Sequence, residues 1–128
     1  MTRLDQLSGK KSAQTATSNW ADQMRAQGAE ILAVQGFAEA IELVVQGRAD
    51  ATANDIVSFT TYLDEKPDAS FRLLDQELPD QAPICVILRQ GQDPLREAVD
   101  GIIGDLKADG TLRGIYETWV GTDLTPQD

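Results

Sequence analysis

The chain has 128 residues and a formal net charge of -10, with 41% hydrophobic and 25% charged residues. That length supports one domain with a real core. The strong acidity offers no electrostatic route to nucleic acid or to an anionic membrane surface, so neither is expected as a partner. No histidine is present, which removes the common general base and the imidazole metal ligand.

The opening Leu4-Asp5-Gln6-Leu7 leads into a turn at Ser8-Gly9. No apolar stretch follows Met1, so the signal-peptide pattern is not expected in this chain. Ser12 to Ala16 alternates weakly and reads as a strand. Thr17-Ser18-Asn19 is a cluster of helix-capping residues. Trp20, Ala21 and Met24 recur at helical spacing, and Gly28 takes the position just past the helix end. Ile31 to Val34 has the length of a strand. Phe37, Ala40, Ile41, Val44 and Val45 form a core-facing helical stripe, which Gly47 ends. Ala51 to Asn54 reads as the next strand, closing on Asp55, and Ile56, Phe59, Thr60, Tyr62 and Leu63 mark a helix stopped by Pro67.

Strand and helix thus alternate with short loops, which predicts an α/β fold with a mainly parallel sheet. Phe71 to Leu74 reads as a further short strand. Glu77 to Pro83 is a connector, and Ile84 to Leu88, apolar on both faces, reads as a buried strand holding the single cysteine, Cys85, as a small buried hydrophobe. Asp93 caps a helix with Pro94 at its first position and a stripe of Leu95, Val99, Ile102, Ile103 and Leu106. Ala108-Asp109-Gly110 ends it, and Thr111 caps a last helix carrying Leu112, Ile115, Tyr116 and Trp119. A compact flavodoxin-like domain using Ile84 to Leu88 as an extra strand is the alternative architecture.

The inventory of reactive groups is thin. No Cys/His cluster suits zinc and no glycine-rich phosphate loop appears, so neither metal nor cofactor is expected, and an enzyme is the disfavoured class. Two features fit a small zwitterion. Thr17-Ser18-Asn19 opens a helix, where backbone N–H groups and the helix-end potential favour a carboxylate. Asp55 ends a strand, where it either caps the next helix or pairs with an ammonium group.

The ordered set Leu7-Ser8-Gly9-Lys10-Lys11, Thr17-Ser18-Asn19-Trp20, Gly36-Phe37-Ala38-Glu39-Ala40, Gly47-Arg48-Ala49-Asp50-Ala51 and Asn54-Asp55 resembles bacterial two-lobed solute-binding proteins for polar amino acids. The resemblance continues through Leu106-Lys107-Ala108-Asp109-Gly110-Thr111-Leu112 and Tyr116-Glu117-Thr118-Trp119-Val120-Gly121 and covers nearly the whole chain. Ser18-Asn19-Trp20 and the ending Gly121-Thr122-Asp123-Leu124-Thr125 look most like the cystine-type members.

The resemblance implies a three-layer α/β/α lobe of the type II periplasmic-binding-protein fold, with residues 4–83 as the second lobe. Residues 84–128 would be a return strand and C-terminal helices that pack on a first lobe largely missing here. It implies a polar amino acid such as cystine as ligand, an ABC permease as partner of the full-length protein, and a periplasmic or extracytoplasmic setting. The α-carboxylate falls to Ser18 and Asn19 with backbone help from Thr17, and the α-ammonium group to Asp55. The chain departs from the family where it places Thr17 at a usual glycine and in lacking the first-lobe arginine that clamps the carboxylate. With that lobe missing, the apolar stripes of the last two helices lead us to expect a homodimer, with or without exchange of the C-terminal segments across Glu77 to Pro83. The functional alternative is a self-associating fragment without ligand affinity.

Overall fold

A computed structural model describes residues 1–79 and 84–126 and resolves them into two compact units, Met1–Gln81 and Ala82–Asp128. The first unit holds the sheet. A 3₁₀ turn over Leu4–Leu7 precedes β1 (Lys11–Thr15), α1 (Asn19–Ala26), β2 (Glu30–Val34), α2 (Phe37–Val45) and α3 (Ile56–Glu65). β1 and β2 pair in parallel, Lys11 opposite Glu30 and Thr15 opposite Val34. The other edge of β1 meets the third segment of chain, where Ala51 N donates to Lys11 O at 3.1 Å and Ala13 N to Ala51 O at 2.9 Å. β1 therefore lies in the middle, with β2 on one side and Ala51 on the other.

Successive residues of β1 face opposite layers. Ala13 packs with Val34, Ala40, Leu43 and Ala49 under α2. On the opposite side Met24 of α1 packs with Leu7, Ala29 and Ala51, supported by Ile31 and Ala53. α1 and α2 thus cover opposite faces of the sheet, which is the expected three-layer arrangement. A third cluster joins α2 to α3 through Ile41, Phe59 and Tyr62, with Phe37 and Phe71 against it. Phe37 and Phe59 meet edge to face with ring centroids 5.1 Å apart.

Local chemistry sets the element ends. Gly28 and Gly47 follow α1 and α2 with φ of 85° and 70°, the left-handed conformation that glycine adopts without a Cβ clash. A side chain at Gly28 would also meet Ser8, with the Ser8 Oγ 3.1 Å from an added Cβ.

Several sequence expectations are corrected. The run Ala51 to Asn54 forms a single bridge, Ser12 to Ala51, and not a strand. Phe71 to Leu74 and Ile84 to Leu88 are irregular, because among the described residues no neighbouring backbone pairs with them. Ile84 to Leu88 is not buried: Ile87 is 93% exposed, and Cys85 is exposed as well. In α2 the third buried residue is Leu43, with Val44 and Val45 half-buried.

In the second unit α4 (Asp93–Ala108) packs with α5 (Thr111–Val120). Gln92, not Asp93, is the N-cap of α4, and Gly110, not Thr111, caps α5, in a left-handed turn with φ of 80°. Asp109 Oδ1 accepts from Thr111 N at 2.8 Å, supplying the acceptor for that first turn. Neither helix contains a buried residue, and Trp119 is 81% exposed.

A surface clasp closes α2 on the end of α3. Tyr62 Oη donates to Glu42 Oε1 at 2.9 Å, and Lys66 Nζ bonds the same oxygen. The Lys66 bond, seconded by Tyr62, holds the Glu42 carboxyl below its ordinary value. A carboxyl whose value is lower folded than unfolded stabilises the fold above its unfolded value and loses that contribution as pH falls through the folded one. Thermal melts from pH 6 down to pH 3 are expected to fall less steeply in Glu42→Gln than in the wild type, and parallel profiles would refute the clasp.

Candidate ligand site

The two sequence-predicted binding elements leave the sheet side by side. After β1 ends at Thr15, Ser18 N donates back to Thr15 O at 3.0 Å, turning the chain into α1. Ser18 is the N-cap, in extended conformation, and its Oγ accepts from Ala21 N at 3.2 Å. Asn19 is the first residue of the helix; Thr17 and Asn19 are exposed and Ser18 is half-buried. Among the described residues no non-glycine has a positive φ, so Thr17 builds this loop in ordinary backbone. The α1 N-terminus therefore presents free N–H groups, a helix-end potential and polar side chains, the features that receive a carboxylate.

The chain beyond Ala51 runs to Asp55, the N-cap of α3. Asp55 Oδ1 accepts from Ser58 N at 2.9 Å, and Oδ2 accepts from Ser58 Oγ at 3.0 Å. Asn54 Oδ1 accepts from Asp55 N at 2.9 Å, fixing the turn. Asp55 is thus a helix cap in full, but a carboxylate has about four acceptor positions, and two are left for a cation.

β1 is the point where the order of strands reverses: the chain passes to β2 on one edge through α1 and to Ala51 on the other through α2. In open α/β sheets ligands lie outside the carboxyl ends of the strands at that point. Ser18 and Asp55 flank it. Among the described residues no hydrogen bond or ion pair joins Thr17, Ser18 or Asn19 to Asp55. An open depression lined by Glu42, Tyr62, Lys66 and Pro67 lies away from it, and its charged groups are engaged in the α2–α3 clasp. No group of carboxylate, cysteine or histidine side chains suited to a metal occurs among the described residues.

Sequence reasoning missed Gln14 and Ser58. Gln14 was read only as part of a weak strand, yet its side chain is buried and reaches Ser12 and Thr52. Ser58 holds both oxygens of Asp55. The signal for Ser58 was its spacing three residues after a capping aspartate.

No protein-family model matches the chain. It is 39% identical over 121 residues to the probable amino-acid ABC transporter-binding protein of Haemophilus influenzae, covering 94% of this chain and 47% of the relative. It is 30% identical over 119 residues to the L-cystine-binding protein TcyA of Bacillus subtilis, covering 93% of this chain and 44% of that protein. The crystal structure of the unliganded, open L-cystine solute receptor of Neisseria gonorrhoeae superposes with a TM-score of 0.66 at 32% identity, over 99% of this chain and 54% of that one.

Along nearly its whole length the chain is similar to about half of an amino-acid-binding ABC solute-binding protein.

The chain spans about half the length of the curated relatives it matches. An ancestral arginine-binding protein bound to glutamine gives a TM-score of 0.79 at 27% identity, over 94% of this chain and 54% of that one. The type II periplasmic-binding-protein fold expected from the sequence is thereby the fold found. The relatives are binding proteins of transport systems and not enzymes, in line with the thin chemistry of the fragment.

Proposed function

We propose that this fragment supplies one ligand-contacting lobe of an amino-acid-binding protein and takes a polar amino acid, cystine among the candidates. The observation that carries the reading is the placement of the α1 N-terminus and Asp55 on either side of the point where strand order reverses. Ser18 and Asn19, with Thr17 backbone, hold the α-carboxylate; Asp55 holds the α-ammonium group through its uncommitted lone pairs. In this reading residues 4–83 are the second lobe and residues 84–128 the return segment. The full-length protein delivers ligand to an ABC permease outside the cytoplasm and performs no chemistry. The L-cystine binding named for two relatives supports the ligand class. The alternative is a self-associating fragment without ligand affinity. Calorimetry with a panel of amino acids, cystine included, tests it: heat of binding from a polar amino acid is expected, and none from the whole panel would sink the reading.

A second reading concerns assembly. Ile84, Val86, Ile87, Ile102 and Trp119 are all more than half exposed, and side chains of this size forgo about 1.5–3 kcal/mol each when left in water. Packing of this unit on its twin, with or without exchange of segments, removes that area from water. Light scattering at high micromolar concentration is expected to give twice the 13.9 kDa chain mass; a monomer would rule the dimer out.

A further inference from the structure

β1 carries a polar face where a three-layer fold normally places apolar side chains. Ser12 is fully buried and Gln14 is 3% exposed, and alternation along the strand puts both on one face. A buried primary amide is costly unless its donors are used, and an aliphatic residue of the same volume is cheaper at such a position. The Gln14 amide is used. Its Nε2 donates to Ser12 Oγ at 3.2 Å and to Thr52 Oγ1 at 3.5 Å.

The place of the second bond matters. Backbone bonding between β1 and the third segment is made by Asp50 N and Ala51 N to Lys11 O and by Ala13 N to Ala51 O, and it stops there. From Thr52 to Asp55 the Gln14 amide is the hydrogen bond that crosses to β1 among the described residues. Three residues later the chain reaches Asp55.

We propose that Gln14 is a positioning residue that ties the Thr52–Asp55 segment to β1 and so sets where the Asp55 carboxylate stands. Its effect on ligand rests on the reading of Asp55 as the ammonium partner. Gln14→Met keeps an unbranched side chain of similar size and removes the amide. Two measurements on the whole chain separate the cases. Amide hydrogen exchange at Ala53, Asn54 and Asp55 is expected to speed up about fivefold in Gln14→Met, with the amides of α2 unchanged and Tm held or raised, since one net hydrogen bond is worth roughly that factor. Calorimetry with L-cystine is expected to show about fivefold weaker binding in the same variant. Thr52→Val reproduces both effects, and the double variant is no worse than either single one. Unchanged exchange at Ala53 to Asp55 overturns the positioning role whatever cystine does, and so does faster exchange with unaltered cystine affinity. Faster exchange in a chain whose wild type takes up no amino acid of the panel sustains the tie and overturns the ligand reading alone.

Discussion

Replacing Asp55 by alanine is expected to weaken, by roughly ten- to hundredfold, the binding of whichever amino acid the calorimetric panel identifies. A charge-assisted bond between carboxylate and ammonium contributes about 1.5–3 kcal/mol, which is roughly a ten- to hundredfold loss in affinity. The same change removes the α3 cap, since both carboxylate oxygens hold Ser58, and a lost cap costs about 0.5–2 kcal/mol of stability. The two effects come apart in Asp55→Asn. Asparagine caps a helix about as well as aspartate, so this variant keeps its melting temperature, but it carries no charge for the ammonium group. Weak binding with a wild-type Tm in Asp55→Asn is the expected signature. Wild-type affinity in both variants would leave Asp55 a cap and nothing more.

The largest loss of stability is expected from Ile41→Ala. Ile41 is 1% exposed and joins α2 to Phe59 and Tyr62, with Phe37 and Phe71 closing the cluster. Truncating such a side chain costs about 2–5 kcal/mol, because aromatic rings on two helices collapse only partly into the void. In a unit of this size each kcal/mol lowers Tm by about 4–8 °C, so a fall on the order of 10–20 °C is expected by circular dichroism. Ile41→Val removes one methylene and costs about 0.5–1.5 kcal/mol. A melt within 3 °C of wild type for the alanine variant would show that α3 is not anchored through this residue.

Helices were legible because their signals are local. Ser18 and Asp55 cap the helices they precede, Gly28 and Gly47 end the helices they follow, and the order of strand and helix gives the parallel sheet. Strands were less legible because a strand is defined by its neighbour. Phe71 to Leu74 and Ile84 to Leu88 have strand composition, but no neighbouring backbone pairs with them among the described residues. Ala51 to Asn54 has a neighbour, β1, for one residue only. The two elements proposed for the site were legible at the same level as the helices, since Ser18 and Asp55 are both caps. Gln14 was not, because nothing in an isolated five-residue run tells a buried amide with partners across the sheet from a solvated one.

The central place of β1 also fixes the order in which the site can be completed. β1 first finds β2, which follows it after one short helix, and that pairing leaves its other edge open. Only when the chain has passed through α2 can Ala51 close that edge, a contact of greater sequence separation and therefore slower loop closure. A chain released up to Gly47 already holds β1, α1 and β2, Gln14 included, but not yet the segment that carries Asp55. In the proposed reading, the helix end assigned to the carboxylate thus forms first, and the segment assigned to the ammonium group is added to a sheet that already exists.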